Sequence, residues 1–313
     1  MADVFISELP AYSGVVTDSN YVAVDDGTTT KKAKISQLWV HSPSIPREKD
    51  ITQYWTDGTL WERITNNYAD IEPGDYINMG RNVTCPNIDS GSAGGTGSQY
   101  VTVASLGGLY GNGDGGDGVS AVTYNHLVMI PGQGTGGTQH FGRHQMNASN
   151  TTTGGYIGSV MHTSVLGGVA STGSVASGAT VNQQLRYIFG EHLKTIREFM
   201  SNAVTGSLYN RFGNAGGASS GWAWASVQSV LMTEAEVYGT IAWSASGYDI
   251  GTGYKQFELF ANSRKAINNR SAYYWLRDVV SSSSFALSDR DGRANYAGAS
   301  YPNLYVRPRF VLA

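Results

Sequence analysis

The chain has 313 residues, a net charge of −3 and only 14% charged residues, against ~25% in an ordinary soluble protein. With a pI of about 6.1 and no basic stripe it offers no electrostatic footprint for nucleic acid, and no apolar run approaches the ~18–20 residues of a membrane-spanning helix. Cys85 is the single cysteine, so an intramolecular disulfide is excluded.

Gly is abundant at 40 residues, Tyr numbers 19, and Pro is scarce at 8. That composition predicts a loop-rich β protein with a neutral polar surface. Tyr, Ser, Gly and Asn are also the residues favoured in adaptable contact surfaces.

Residues 1–40 read as a separate module. The first residues have neither a basic n-region nor an apolar h-region, which predicts no leader peptide. Tyr21-Val-Ala-Val24 predicts a strand, Asp25-Asp-Gly27 a turn, and residues 28–33 a returning strand. Ser36 is placed to cap a short helical turn carrying Leu38 and Trp39. Residues 41–50 hold Pro43 and Pro46 and predict a stiff, extended linker.

From residue 51 the pattern is that of one long β-rich region. Residues 71–77 predict a turn entering a strand, residues 99–106 a strand, and residues 107–118 a glycine-rich loop. His126-Leu-Val-Met-Ile130 is a continuous apolar run ended by Pro131, hence a buried strand. Leu185, Ile188, Leu193, Ile196, Phe199 and Met200 fall close to helical spacing, predicting an amphipathic helix over 181–204. Thr233-Glu-Ala-Glu236 is a capping-box pattern, which predicts a second helix with Tyr238 and Ile241 facing the core. Residues 273–277 and 285–288 predict strands, residues 289–303 an exposed loop, and residues 304–313 a closing strand. No fixed-period repeat is visible, which argues against propellers and solenoids.

Two groups of motifs carry a resemblance. Phe5-Ile-Ser-Glu-Leu-Pro10, then residues 18–27, Thr30-Lys-Lys32 and Gln37-Leu38, resemble the virion-proximal segment of phage fibre and tail proteins. LMTEAEVYG (231–239), YYWLRD (273–278) and YVRPRF (305–310), in that order, resemble the C-type-lectin-like fold of phage display proteins and of the formylglycine-generating enzymes. Pro73-Gly-Asp-Tyr-Ile77 and Gly154-Gly-Tyr-Ile-Gly-Ser159 extend the likeness. The resemblance implies an α+β architecture: a β-rich C-type-lectin-like domain with two amphipathic helices over residues 46–313, preceded by a virion-attachment module and linker over 1–45. It also implies a fold that clamps its first and last strands together and mounts irregular loops on a rigid scaffold. Arg307 is expected in a buried hydrogen-bond network.

Enzymatic and metal readings find little support. The formylglycine-generating enzymes use paired cysteines near the C-terminus, and residues 86–313 contain none. His140 and His144 have HxxxH spacing, but Gly142 interrupts it and no third ligand is apparent. Asn112, Asp114 and Asp117 offer oxygens for Ca²⁺ without an EF-hand pattern, and the calcium triplets of sugar-binding lectins are missing. No Gly-x-Ser-x-Gly elbow is present. Glu234 and Glu236, a candidate acid pair, are accounted for by the capping box. The four Asn-x-Ser/Thr sequons, at Asn82, Asn147, Asn150 and Asn269, read as chance matches in an Asn/Thr-rich chain.

The function expected is that of a bacteriophage virion protein, a head or tail fibre with no catalytic residues, metal or cofactor. It is expected to form a homotrimer, to join other virion proteins through residues 1–45, and to bind a host cell-surface glycan or protein. The alternative is a capsid decoration or collar protein without a receptor. The contact residues expected are Asp289, Asp291, Arg293, Asn295, Tyr296, Tyr301 and Asn303, where the tyrosines supply flat amphipathic area at low entropic cost. The competing role for the same loop is packing on a neighbouring subunit.

Overall fold

In a computed structural model the chain falls into two compact units, Met1–Ile45 and Pro46–Ala313. The residues described are 21–25, 30–34, 46–88, 95–107, 109, 124–203, 221–244, 256–267 and 272–313. Of the first unit this covers one antiparallel hairpin, β1 (Tyr21–Asp25) and β2 (Thr30–Lys34), with Tyr21 opposite Lys34 and Asp25 opposite Thr30. The helical turn expected at 36–39 lies outside the described residues.

The second unit is a mixed α+β fold, rich in strands. Its main sheet is antiparallel, in the order β3 (Tyr76–Asn78), β4 (Tyr100–Leu106), β5 (Leu127–Pro131), β12 (Pro308–Leu312), β8 (Val230–Leu231). The central strands β5 and β12 are buried along their whole length. Burial on both faces is why 127–130 reads as an unbroken apolar run and not as an alternation. The last strand does not pair with β3, the first strand of this unit. It enters between β5 and β8, with Phe310 opposite Met129 and Pro308 opposite Leu231.

A second sheet has the order β11 (Ala294–Gly298), β10 (Ser284–Ser288), β9 (Tyr274–Val279). A two-stranded ribbon pairs β6 (Ile196–Ala203) with β7 (Gly221–Val227). The N–H of Arg277 in β9 donates to Met232 O at 3.0 Å, tying the second sheet to the residues that follow β8.

The helices are short. α1 (Thr52–Thr56) is followed by α2 (Thr59–Thr65), which packs Leu60 and Ile64 into the core. α3 (Val181–Phe189) starts at a capping box made by Thr180 and Gln183. α4 (Glu234–Tyr238) starts at the expected capping box, with Thr233 Oγ1 accepting from the Glu236 amide and Glu236 accepting from the Thr233 amide. α5 (Glu258–Asn262) and α6 (Arg264–Ile267) follow. Among the described residues, no helix is long and apolar enough to cross a membrane.

Three expectations are corrected. The helix expected over 181–204 ends at Phe189. Gly190 takes φ 56°, ψ −134°, a conformation that L side chains rarely adopt, and residues 196–203 form β6 instead. Ile241 does not face the core, being 37% exposed, whereas Tyr238, half-buried, packs against it as expected. Residues 46–50 are not linker. Arg47 pairs with Asp70 and Asp75, and Asp75 is fully buried. The Ile51 and Tyr76 amides bond the carbonyls of Tyr76 and Lys49, so this stretch lies along β3.

Candidate functional site

The three C-terminal motifs meet at a buried set of charges. Arg277 of β9 donates to Glu198 of β6 at 2.7 Å, and Arg309 of β12 binds both Glu198 and Glu236 of α4. All four side chains are at most 1% exposed. Glu198 thus faces both guanidiniums, and Glu236 faces that of Arg309. Burial opposes ionisation of Glu198, but the guanidiniums of Arg309 and Arg277 outweigh it and hold the carboxyl down at about 2. Glu236 therefore acts twice, as helix cap and as ion-pair partner.

Glu234 lies two residues earlier and has a different task. It is not the capping residue of its helix. Its buried carboxylate accepts the backbone N–H groups of Ala242 at 3.0 Å, Trp243 at 2.9 Å and Ser244 at 2.8 Å. Its own amide donates to the buried Asp278 Oδ2 at 2.7 Å. Burial raises the Glu234 pKa, and the three amides work against that rise. Three amides of the loop after α4 are thus tied to one carboxylate.

That loop presents Trp243. The indole Nε1–H donates to Ala294 O at 3.0 Å on β11, and the ring lies 4.8 Å from the Tyr296 ring, tilted by 58°. Trp243 remains 41% exposed and Tyr296 43%. Two aromatic faces, each fixed by backbone hydrogen bonding, stand at the solvent side of the β10–β11 hairpin. Such rigid, amphipathic area is what aromatic contact residues supply in binding surfaces.

The residues 289–303, expected as an irregular loop, are largely this hairpin. Ser288 pairs with Ala294 and Ser284 with Gly298. Asp289 Oδ1 accepts the Asp291 and Arg293 amides at 2.8 Å each, which closes the turn, so Asp289 shapes the hairpin from inside it. Gly292 takes φ 74° there. Asp291, Arg293, Asn295 and Tyr296 project from it, all exposed. Tyr301, 50% exposed, and the exposed Asn303 follow on the return toward β12. The backbone between them is pinned by Asn150 Oδ1, which accepts from the Ser300 amide and hydroxyl. Trp243 was not among the expected residues. Its signal in the sequence is a lone tryptophan among small residues directly after a capped helix.

The other candidate chemistry is not assembled. His140 and His144 are not on a helix: His140 stacks on Tyr305 with centroids 3.8 Å apart, while His144 is buried with Nδ1 2.7 Å from Gln145 O. Among the described residues no group of His, Cys, Asp and Glu is arranged to hold a metal ion. Asn112, Asp114 and Asp117 lie outside the described residues. A cavity of about 350 Å³ is lined by Arg81, Thr84, Cys85, Ser177 and Gln184 among others. Burial pushes the Cys85 thiol up, away from the reactive thiolate. Arg307 is fully buried as expected, with Nη1 donating to Ala266 O at 2.9 Å. Comparison with family models, with curated proteins and with solved protein structures finds no match.

Proposed function

We propose that this chain is a bacteriophage virion structural protein, a head or tail fibre component that attaches the particle to its host. In this reading residues 1–45 anchor the chain to other virion proteins. Residues 46–313 form a C-type-lectin-like display domain of a homotrimer and bind a host cell-surface glycan or protein without catalysis. The observation that carries it is the exposed Trp243–Tyr296 pair, mounted on a hairpin and held by the buried carboxylate of Glu234. A contact surface fixed before binding loses little entropy on binding. The meeting of LMTEAEVYG, YYWLRD and YVRPRF at the Glu198–Arg277–Arg309–Glu236 cluster supports the resemblance on which the fold assignment rests.

The test is saturable binding of the full chain to cell walls of candidate bacterial hosts, alongside Trp243→Ala and Tyr296→Ala. Truncating a central aromatic contact removes about 2 kcal/mol or more, so each variant is expected to bind roughly 30-fold more weakly with unchanged oligomeric state. The second reading, a decoration or collar protein without a receptor, draws on the same pair as an interface between copies. It is supported instead if the variants change the oligomeric state and no wall preparation binds the parent chain.

A further inference from the structure

The cavity of about 350 Å³ is walled by two segments, residues 81–87 between β3 and β4 and residues 175–179 ahead of α3. Buried Gln184 of α3 fixes one wall to the other. Its Oε1 accepts the Thr84 amide at 2.9 Å, and its Nε2 donates to Thr84 O at 2.7 Å and to Ala179 O at 2.9 Å. The Val83 and Cys85 amides donate in turn to Ser98 O at 3.0 Å and Phe141 O at 2.6 Å. The walls are thus held through their backbone, and the polar side chains between them are not needed for that task.

Those side chains are polar and carry one charge. Asn82, Thr84, Asn87 and Ser177 line the space, and among the described residues no hydrogen bond engages their side chains. Amides and hydroxyls both donate and accept, which is the pattern that matches the hydroxyls of a sugar. Arg81 is the one charged residue among the described lining residues, and none there is acidic. It is exposed and has no carboxylate partner among the described residues. Its guanidinium carbon lies 5.0 Å from the centroid of the exposed Tyr187 ring. An arginine resting over a ring keeps its N–H groups for a second partner. Burial holds the Cys85 thiol protonated, so it adds no negative charge.

We infer that this cavity binds one uronic-acid unit, a hydroxylated sugar ring bearing a single carboxylate. Arg81 takes the carboxylate, and Asn82, Thr84, Asn87 and Ser177 take the ring hydroxyls. One cation matches a monoanion, and the forked guanidinium matches the two oxygens of a carboxylate. A volume of about 350 Å³ stands near the lower end of the ~300–1,000 Å³ of small-molecule sites, which suits one ring and not a buried chain. The rim residues Arg81, Asn82, Asn87 and Ser177 are exposed, so the unit is either a free sugar acid or the terminal residue of an oligosaccharide. The cavity shares no residue with the Trp243–Tyr296 pair, and the inference does not rest on the attachment reading.

The experiment is saturation-transfer NMR on the full chain with galacturonate, glucuronate, galactose, acetate and digalacturonate at matched ionic strength. At least one of the two sugar acids is expected to give a saturable signal. Galactose and acetate should each bind about tenfold more weakly, since each lacks one half of the recognised chemistry. Arg81→Met should weaken the sugar acid by about tenfold and leave galactose unchanged, as expected when hydrogen bonds to a charged group are lost. Ser177→Trp, which places a bulky ring in the cavity, should abolish binding of both. Arg81 and Ser177 are exposed, so both variants are expected to keep the parent melting temperature. Digalacturonate binding as tightly as the monomer supports the site with the end of a polysaccharide as its source. Binding of the monomer alone supports it with a free sugar acid as its source. No saturable signal from either acid, acetate binding as tightly as the acids, an unchanged affinity in Arg81→Met, or a signal that survives Ser177→Trp overturns the assignment.

Discussion

The carboxylate of Glu234 and the backbone amide of Trp243 are 2.9 Å apart, and that hydrogen bond sets where the exposed indole stands. Ala242 and Ser244 donate to the same carboxylate from either side, so three consecutive amides converge on one buried anion. A fixed carboxylate meeting successive N–H groups is a strong local constraint, since hydrogen bonds to an ionised acceptor exceed neutral ones by about twofold. The motif recognised as a helix start therefore also positions the aromatic pair.

Replacing Glu234 by Gln keeps one acceptor and removes the charge. The loss expected is about 1.5–3 kcal/mol, the contribution of a hydrogen bond to a charged group. Hydrogen exchange at the amides of 242–244 should quicken well before global unfolding, and Trp243 fluorescence should shift to the red. Exchange that stays protected would show that Trp243 is held by its contacts with Ala294 and Tyr296 alone.

The Glu198–Arg277–Arg309–Glu236 cluster makes a separate prediction. Glu198→Gln removes the carboxylate that the buried guanidiniums of Arg277 and Arg309 share and is expected to cost about 3–5 kcal/mol in chemical denaturation. Replacing Glu198, Arg277 and Arg309 together by Leu, Met and Met removes the orphaned charges. It should recover at least half of that loss, because well-packed apolar groups substitute for buried ion pairs at little cost. A triple variant as unstable as the single one would mean that side-chain shape, and not charge, is what the cluster supplies.

The same cluster explains where the sequence misleads. Residues 196–200 read Ile-Arg-Glu-Phe-Met, and a charged Glu198 between apolar neighbours obscures the period-two pattern of a strand. In β6 it is Ile196, Glu198 and Met200 that are buried, with Glu198 satisfied by arginines remote in sequence. Nothing local announces those partners. By contrast β5 and the α4 capping box were legible, because burial on both faces and a side chain–backbone cap leave local signatures. Strand β11 was hidden for a third reason: it is mostly uncovered, so its composition is that of a loop. The exposed hairpin residues were found from their chemistry, but Trp243 reaches them only through tertiary contact.

Arg47 and Asp75 bear on how the two units divide. Buried Asp75 accepts from Arg47 Nε at 3.0 Å, Lys49 N at 3.0 Å and Glu72 N at 2.9 Å. A fragment of residues 46–313 keeps these bonds, and one of residues 51–313 loses two of the three. The shorter fragment is expected to be less stable by about 1.5–3 kcal/mol, and Arg47→Met in the longer one by a similar amount. Equal denaturation midpoints for the two fragments would return residues 46–50 to the linker.

Acid should unfold the domain in a defined order. Burial is the largest cause of the low pKa of both His140 and His162. Arg143 and Arg307 add to it at His140, as does Arg277 at His162. Both are pushed down to about 4 from an ordinary 6.5. Each imidazole is thus harder to protonate folded than unfolded, so the unfolded chain takes up the proton first. The stabilisation is complete above pH 6.5 and is lost as pH falls toward 4, by up to about tenfold in the unfolding constant per pH unit for each histidine. Glu198 has the same sign in a lower window, between 4.5 and about 2. Glu234, whose pKa is raised, opposes them weakly, since its protonation favours the folded state. Denaturation midpoints from pH 8 to pH 4 should therefore fall below pH 6.5, with proton uptake on unfolding from His140 and His162 and a further share from His126, whose pKa burial also lowers. In His162→Phe, which removes one buried titrating ring from beside Arg277, the uptake should fall by up to about one proton. An unchanged slope in that variant would mean that His162 does not govern the acid limb.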